Sequence, residues 1–360
     1  MDTSQFTDGL RRLVEKTPLF KRKSLIATTI INPRAGSFSH SAKFASAMRD
    51  LASALSAAES QPGREGSLTW RVKSTESTRH ATRIAAECIE ESAMKPGTSW
   101  FVILACGDGT SLEFLDELSR APDELRNSFT VLRLPMGTGN DGSDGRELSD
   151  SLSRLTGHGA IEVQPLLRVI PAPGGPASKR ARGGEWRSFN IASIGLDAYV
   201  TDMTNRLKTH LPGDSYKLWL DLSSVLYDRV YPPREMGIVG TDSRGRETAR
   251  LEGRFLLSAM GVSGYRTYGS NKKILPDADN VCAIRQMPLL RKLALKGPIA
   301  SGRIRDFPEA ELFSADTIEF RYADRILVQM DGEAEHLEPE DFPLRMERTP
   351  PLIRHLARME

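Results

Sequence analysis

Three cysteines among 360 residues, with no CxxC pair and no histidine-rich spacing, exclude a disulfide-stapled scaffold and offer no frame for a zinc site. Cys88, Cys106 and Cys282 are expected to be free thiols. No apolar run reaches the 18 residues of a membrane span, and the opening MDTSQFTDGLRRLVEKTPLF lacks the apolar core of a signal peptide, so a cytoplasmic protein is the simplest expectation. Charge of one sign is also missing. Lys and Arg number 49 against 47 Asp and Glu, for a net charge of +2 and a pI near 8.4, which gives no ground for a nucleic-acid partner. Two common phosphate fingerprints are absent as well: there is no GxxxxGK[ST], and no GxGxxG follows the first apolar run.

What is present begins with a rhythm. LIATTII (25–31), LTWRVKS (68–74), WFVILA (100–105) and FTVLRL (129–134) are short, rich in β-branched or aromatic residues and bounded by turn formers, so they read as strands. Between the second and third, Ala81, Ile84, Ala85, Cys88 and Ile89 recur at helical spacing, and helical patterns also fill roughly 41–57 and 111–119. The order βαβαβαβ predicts a Rossmann-like parallel sheet covered by helices, whose ligands bind beyond the carboxyl ends of the strands.

The segments after those four strands are NPRAG (32–36), STEST (74–78), CGDGT (106–110) and PMGTGND (135–141). Glycine lets backbone N–H groups approach an anion, and a helix N-terminus adds about half a positive charge, so the converging loops suit phosphate. Each loop alone reads as a tight turn; the set of four at one edge is what points to a ligand. From Glu162 onward the pattern changes to short runs separated by turn residues, including SFNIASIG, RFLLSAMGV, DTIEFRY and RILVQMDG, which predict an antiparallel β domain. YKLWLDLSSVLYDRV interrupts it with apolar residues at helical spacing, Leu218, Leu222, Val225 and Leu226. PAPGGPASKRARGGEW (171–186) reads as a flexible hairpin insertion whose Lys179, Arg180 and Arg182 are either solvated or touch anionic headgroups.

Taken in order, NPRAG, Thr75 in STESTRHA, CGDGTSLE, PMGTGND, NIASIGLDA and QMDGE resemble the motifs of the diacylglycerol kinase catalytic family, which includes bacterial lipid kinases, sphingosine kinases and ceramide kinases and is distantly similar to NAD kinases. The match runs from about residue 25 to 335. The resemblance implies an α/β plus β fold: an extension (1–23), a Rossmann-like nucleotide-binding domain (24–150), an antiparallel β-sandwich-like domain (151–345) and a C-terminal segment (346–360) that returns to the first domain. Nucleotide is then expected in the interdomain cleft.

The same resemblance implies a kinase that moves the γ-phosphate of ATP to a lipid hydroxyl with Mg²⁺. It places ATP against Asn32, Pro33, Arg34, Ala35, Gly36, Thr75, Cys106, Gly107, Asp108, Gly109, Thr110, Glu113, Gly137, Thr138, Gly139 and Asn140. Asp108, a carboxylate among small residues facing phosphates, is read as a metal ligand or acid–base group, with a helix cap as the bland alternative. Asp141 holds a metal or water network, or caps a helix. The family's glutamate in the DGE turn is the catalytic base, so that role falls on Glu333, with Asp331 and Gly332 as turn formers. Implied partners are a lipid substrate, peripheral contact with the inner face of a membrane and no nucleic acid; a homodimer stays open. Two alternatives also stay open: a pyridine-nucleotide kinase, and a non-catalytic ATP or lipid sensor.

Three departures qualify the resemblance. Cys106 replaces the first glycine of GGDGT, either as a small stand-in or as a reactive thiol. Gly142, Ser143 and Asp144 stand where the family continues with an aromatic residue. PDADNVCAI (276–284) lacks the Asp-Gly-Leu that holds a structural Mg²⁺ in many bacterial relatives, leaving Asp277 and Asp279 as substitutes.

Overall fold

A computed structural model describes residues 3–20, 24–137, 139–140, 142–145, 147–208, 226–268 and 272–359. The chain forms two units, one of residues 1–164 with 351–360 and one of residues 165–350.

The first unit is built on a six-stranded sheet ordered β2-β1-β3-β4-β17-β5. Its four leading strands are β1 (Leu25–Ile31), β2 (Leu68–Ser74), β3 (Ser99–Cys106) and β4 (Phe129–Pro135), and they pair in parallel. β1, β3 and β4 are buried along nearly their whole length, the continuous apolar reading expected of parallel strands covered on both faces. The covering helices include α1 (Ser4–Lys16), α3 (Ser41–Ala58), α4 (His80–Ala93) and α5 (Asp108–Ser119).

The start of the chain, expected as an extension, contributes a core element. Phe6, Leu10, Leu13 and Val14 of α1 are buried in the same cluster as Phe38 and Leu51. A side chain at Gly9 would meet Leu51 at 2.5 Å, so that glycine lets α1 and α3 approach. The sheet also runs past residue 150. β5 (Gly159–Gln164) pairs antiparallel with β17 (Ile353–Arg358), which in turn lies parallel to β4. The break between units therefore falls after Gln164, where the chain leaves this sheet, and again before Pro351.

The second unit is an antiparallel sheet of eleven strands. β10 (Glu247–Gly261) is 15 residues long and serves two neighbourhoods: its first half pairs with β9 (Glu235–Thr241), its second with β8 (Ile191–Gly195) and β11 (Val281–Arg285). Along it the burial changes from alternating to continuous at Phe255, where it passes from a half-exposed to a fully covered position. The sandwich-like expectation is thus met by one sheet continued through a long shared strand. β14 (Ile326–Met330) and β15 (Glu333–Leu337) form a hairpin at one end of this order.

The insertion at 171–186 is folded, in contrast to the flexible hairpin expected. Pro176 opens the short helix α8 (Pro176–Arg180) at a position where its missing N–H costs nothing. Ala177 is buried and its N–H donates to Asp341 Oδ1 at 2.8 Å. Arg180 donates to Glu335 Oε2 at 3.3 Å and to the His336 carbonyl. Of the expected helix near 216–230, Leu218, Leu222 and Val225 lie outside the described residues; residues 226–230 are helical, and Tyr227 packs on Tyr199 and Tyr231. Among the described residues no helix is long and apolar enough to cross a membrane.

Candidate functional site

Parallel pairing brings the four loops together. Ile31 is opposite Ser74 and Ala105, and Cys106 is opposite Pro135, so all four strands end at one edge. The loops are then tied to one another by hydrogen bonds. Thr75 N–H donates to the Ile31 carbonyl at 2.8 Å, and Ser37 N–H to the Met136 carbonyl at 2.9 Å. Asn32 Nδ2 donates to Thr110 Oγ1 at 3.2 Å, Arg79 N–H to Glu113 Oε1 at 2.8 Å, and Gly142 N–H to Asp108 Oδ1 at 3.0 Å. Each loop is thereby tied to a neighbouring loop or strand end.

The glycines have a steric reason. A Cβ on Gly137 would lie 2.9 Å from the Cα of Gly107 and 3.0 Å from Asn140 Oδ1, so the third and fourth loops cross backbone on backbone. Asn140 has φ +60, a left-handed conformation that Asn accepts more readily than most residues. Gly107 is the N-cap of α5 and offers no side-chain cap, leaving the N-terminal amides of that helix to other acceptors.

Of the sixteen residues expected against ATP, Ala35, Gly36, Cys106 and Gly137 are buried and form the floor of the loops. Asn32, Pro33, Arg34, Thr75, Gly107, Asp108, Gly109, Thr110, Glu113, Gly139 and Asn140 keep some exposure. Thr138 and Asp141 lie outside the described residues. Among the described residues no group of three His, Cys, Asp or Glu side chains is placed to hold a metal.

Cys106 is 2% exposed and lies 3.6 Å from Ser111 Oγ. Burial pushes its thiol up to about 12, the reverse of a reactive thiolate. It acts as a small side chain in the floor. Cys106→Gly is expected to retain turnover at a stability cost of about 1–2 kcal/mol, and iodoacetamide should leave Cys106 unlabelled in the native protein. Loss of all turnover in a folded variant would assign the thiol a chemical role.

The departure after PMGTGND is explained by packing. The side chains of Asp144 and of Arg133, from β4, are 1% and 3% exposed; the guanidinium donates to Asp144 Oδ1 from Nη2 at 2.7 Å and from Nε at 3.0 Å. The Arg133 N–H donates to Asp144 Oδ2 at 2.6 Å, and His355 Nδ1 of β17 is 3.5 Å from Oδ1. Burial alone would push this carboxyl up; Arg133 and His355 outweigh it and hold it far below the usual range. Residues 142–144 thus anchor the fourth loop to β4 through charge where an aromatic residue would have used apolar contact.

In the second unit, the β14–β15 hairpin turns through Asp331 (φ +49) and Gly332 (φ +92), the two positive φ values of a type I′ turn. Glu333 follows as the first residue of β15 and is exposed. The turn is fixed from below. Asp331, 4% exposed, accepts from Ser188 Oγ at 2.7 Å, from the N–H groups of Asn190 and Ile191 at 3.0 Å each, and from that of Phe189. Gly332 N–H donates to Gln329 Oε1 at 3.0 Å, and Gln329 Nε2 donates to Ser193 Oγ at 3.0 Å and Asp197 Oδ2 at 3.2 Å. Ser193 Oγ donates to the same Asp197 oxygen at 2.7 Å.

This network, which joins the NIASIGLDA and QMDGE segments, leads to an apolar groove. Leu196, Val200, Leu256, Ile274, Leu295 and Ile299 line it, with Asp197 and Tyr268 as polar groups. Burial, with the Asp197 charge beside it, pushes the Tyr268 hydroxyl well above its ordinary value and keeps it neutral. Asp277 and Asp279, the substitutes for a structural metal site, are instead bridged by one guanidinium. Arg305 donates from Nε to Asp277 Oδ2 at 2.7 Å and from Nη2 to Asp279 Oδ2 at 2.5 Å, and Ser314 Oγ donates to Asp279 Oδ1 at 2.7 Å. Arg305 holds Asp277 below its usual range. The pair is built as an ion-pair network, which does not fit a cation site.

Comparison with known proteins agrees with this geometry. Residues 27–156 match the family model described as the diacylglycerol kinase catalytic domain. A solved structure of a diacylglycerol kinase from Bacillus anthracis superimposes with a TM-score of 0.50 at 15% identity, covering 94% of this chain and 97% of its own. Another from the same organism, proposed to be a diacylglycerol kinase, gives a TM-score of 0.56 at 16% identity over 94% and 98%. These two share the fold. No curated protein matches. The family match supports a kinase-type function and implies ATP as phosphoryl donor.

Proposed function

We propose that the protein is an ATP-dependent lipid kinase that transfers the γ-phosphoryl group of ATP to a lipid hydroxyl. The observation that carries this reading is the braced set of loops at the carboxyl edge of the parallel sheet, which gathers backbone amides and the Asn32, Thr75 and Thr110 side chains where a polyphosphate would be cradled. The apolar groove of the second unit supports a lipid as acceptor.

Phosphoryl transfer asks the protein for position and for charge. Asp108 stands in the first turn of α5, and one carboxylate with substrate phosphates is a donor set that suits Mg²⁺, with Asp141 as the further candidate. When bound, that ion would neutralise charge on the phosphate oxygens. Glu333 is the proton acceptor: as the lipid oxygen bonds to the γ-phosphorus and the bond to the β–γ bridging oxygen breaks, the hydroxyl proton passes to its carboxylate, leaving a lipid phosphate and ADP.

The test is transfer of labelled γ-phosphate from ATP with Mg²⁺ over mixed micelles of diacylglycerol, monoacylglycerol, a sphingoid base and phosphatidylglycerol, with NAD as a parallel acceptor. Label is expected in one lipid. Label only in NAD would make the protein a pyridine-nucleotide kinase, and ATP binding without any transfer would make it a sensor.

A further inference from the structure

The helix Leu289–Ser301 turns leucines to water and buries a lysine. An amphipathic surface helix turns its apolar residues inward and its charges to water. Among its described side chains Leu289, Leu290, Leu293, Ala294, Gly297, Ala300 and Ser301 are exposed, with Leu290 82% exposed, while Lys292 is 7% exposed and its Nζ donates to Asp228 Oδ1 at 2.6 Å. Arg291, the other cation near its start, is bound to Glu309 at 2.9 Å and lies 4.0 Å from the centre of the Phe307 ring. The outward leucines are continuous with the groove: Leu289 and Leu293 belong to its lining, together with Leu295 and Ile299 from the inner face of the same helix. A stripe of exposed apolar surface that runs into an apolar groove marks a contact site rather than a solvated face.

Charge identifies the partner. Lys272, at the groove, and Lys273 and Arg303 are exposed, and Lys273 N–H donates to the Ile299 carbonyl, which brings that stretch against the helix. The segment 272–309 holds eight Lys or Arg against four Asp or Glu, a larger excess than the +2 of the whole chain. Exposed leucines within a cationic segment are what an anionic bilayer receives: apolar side chains enter the headgroup boundary while Lys and Arg meet lipid phosphates. We propose that the helix Leu289–Ser301 docks this protein on an anionic lipid bilayer, with the groove opening beside the inserted leucines. The docking deepens the lipid-kinase reading by supplying the route of its substrate, and it is measured without turnover.

The test is sedimentation of the full chain with vesicles of phosphatidylcholine alone and of phosphatidylcholine with phosphatidylglycerol. Binding is expected to the anionic vesicles and to weaken with salt. Leu290→Ser should lower the partition coefficient about tenfold, the worth of one buried leucine, and Lys273→Glu with Arg303→Glu should lower it further. Because Cys88, Cys106 and Cys282 are buried, Leu290→Cys accepts an environment-sensitive thiol label at that position, and its emission should shift to the blue on anionic vesicles. Equal sedimentation of parent and Leu290→Ser, or an unshifted label, overturns the proposal. A parent that is dimeric in solution and becomes monomeric as Leu290→Ser would give the face to a second copy instead. A parent that phosphorylates micellar lipid but sediments with neither kind of vesicle refutes the docking surface alone; a parent that docks through Leu290 and phosphorylates no lipid refutes the kinase reading alone.

Discussion

Glu333→Gln is expected to bind ATP as the parent does and to turn over about 10²–10⁴-fold more slowly, the range for a positioned general base. The substitution keeps size and removes the carboxylate proposed to accept the proton. It should leave the hairpin in place, because the turn is held by Asp331 and Gln329. Asp108→Asn separates the two roles. Its amide oxygen can still accept from Gly142 N–H, so the third and fourth loops stay joined, but it is a poorer ligand for a hard cation than a carboxylate. That variant should raise the Mg²⁺ requirement and the apparent KM for ATP along with lowering turnover. Steady-state kinetics over ATP and Mg²⁺, with ATP affinity by calorimetry, distinguish them. Near-parental turnover in Glu333→Gln would move the base elsewhere, with Asp108 next in line.

Asp331→Ala should be among the most destabilising single changes in the second unit. It removes the acceptor of three buried backbone N–H groups and the Ser188 hydroxyl, and each buried donor left unmet costs about 1–3 kcal/mol. Alanine also tolerates the φ of +49 less well than aspartate. Allowing for water to reach some of the donors, a loss of at least about 3 kcal/mol is expected, or roughly 6–12 °C in Tm for a unit of this size. Asp331→Asn keeps an acceptor oxygen and the turn preference and should fall between. Calorimetric unfolding of the three proteins tests the order; a melting temperature for Asp331→Ala within a degree of the parent would show that the network contributes nothing.

The two predictions also show where sequence was sufficient. β1 and β2 begin and end as the apolar runs predict, because β-branched residues bounded by turn formers encode a strand locally. The four loops after the parallel strands were legible for the same reason, since strand, loop and helix follow one another within a few residues. Asp331 shows the limit: DG announces a turn, yet its partners lie at 188–191, about 140 positions earlier, and nothing local reports that distance. The 171–186 stretch misled through composition, since Pro176 and the glycines describe a helix start and tight turns as well as they describe flexibility. Asp144 looked like a lapse in a motif until its partners Arg133 and His355 were seen. β17 was missed as a strand because six residues pair over a gap of nearly two hundred with β5.

That last strand has a consequence for how the protein is made. The first unit is interrupted after Gln164 and resumes at Pro351, with β17 seated in the sheet between β4 and β5. During synthesis the four parallel strands and the loops after them emerge early, but β4 keeps an unpaired edge until β17 has been made. The second unit, by contrast, has all its strands by residue 348. The half that is begun first is therefore the half that is finished last.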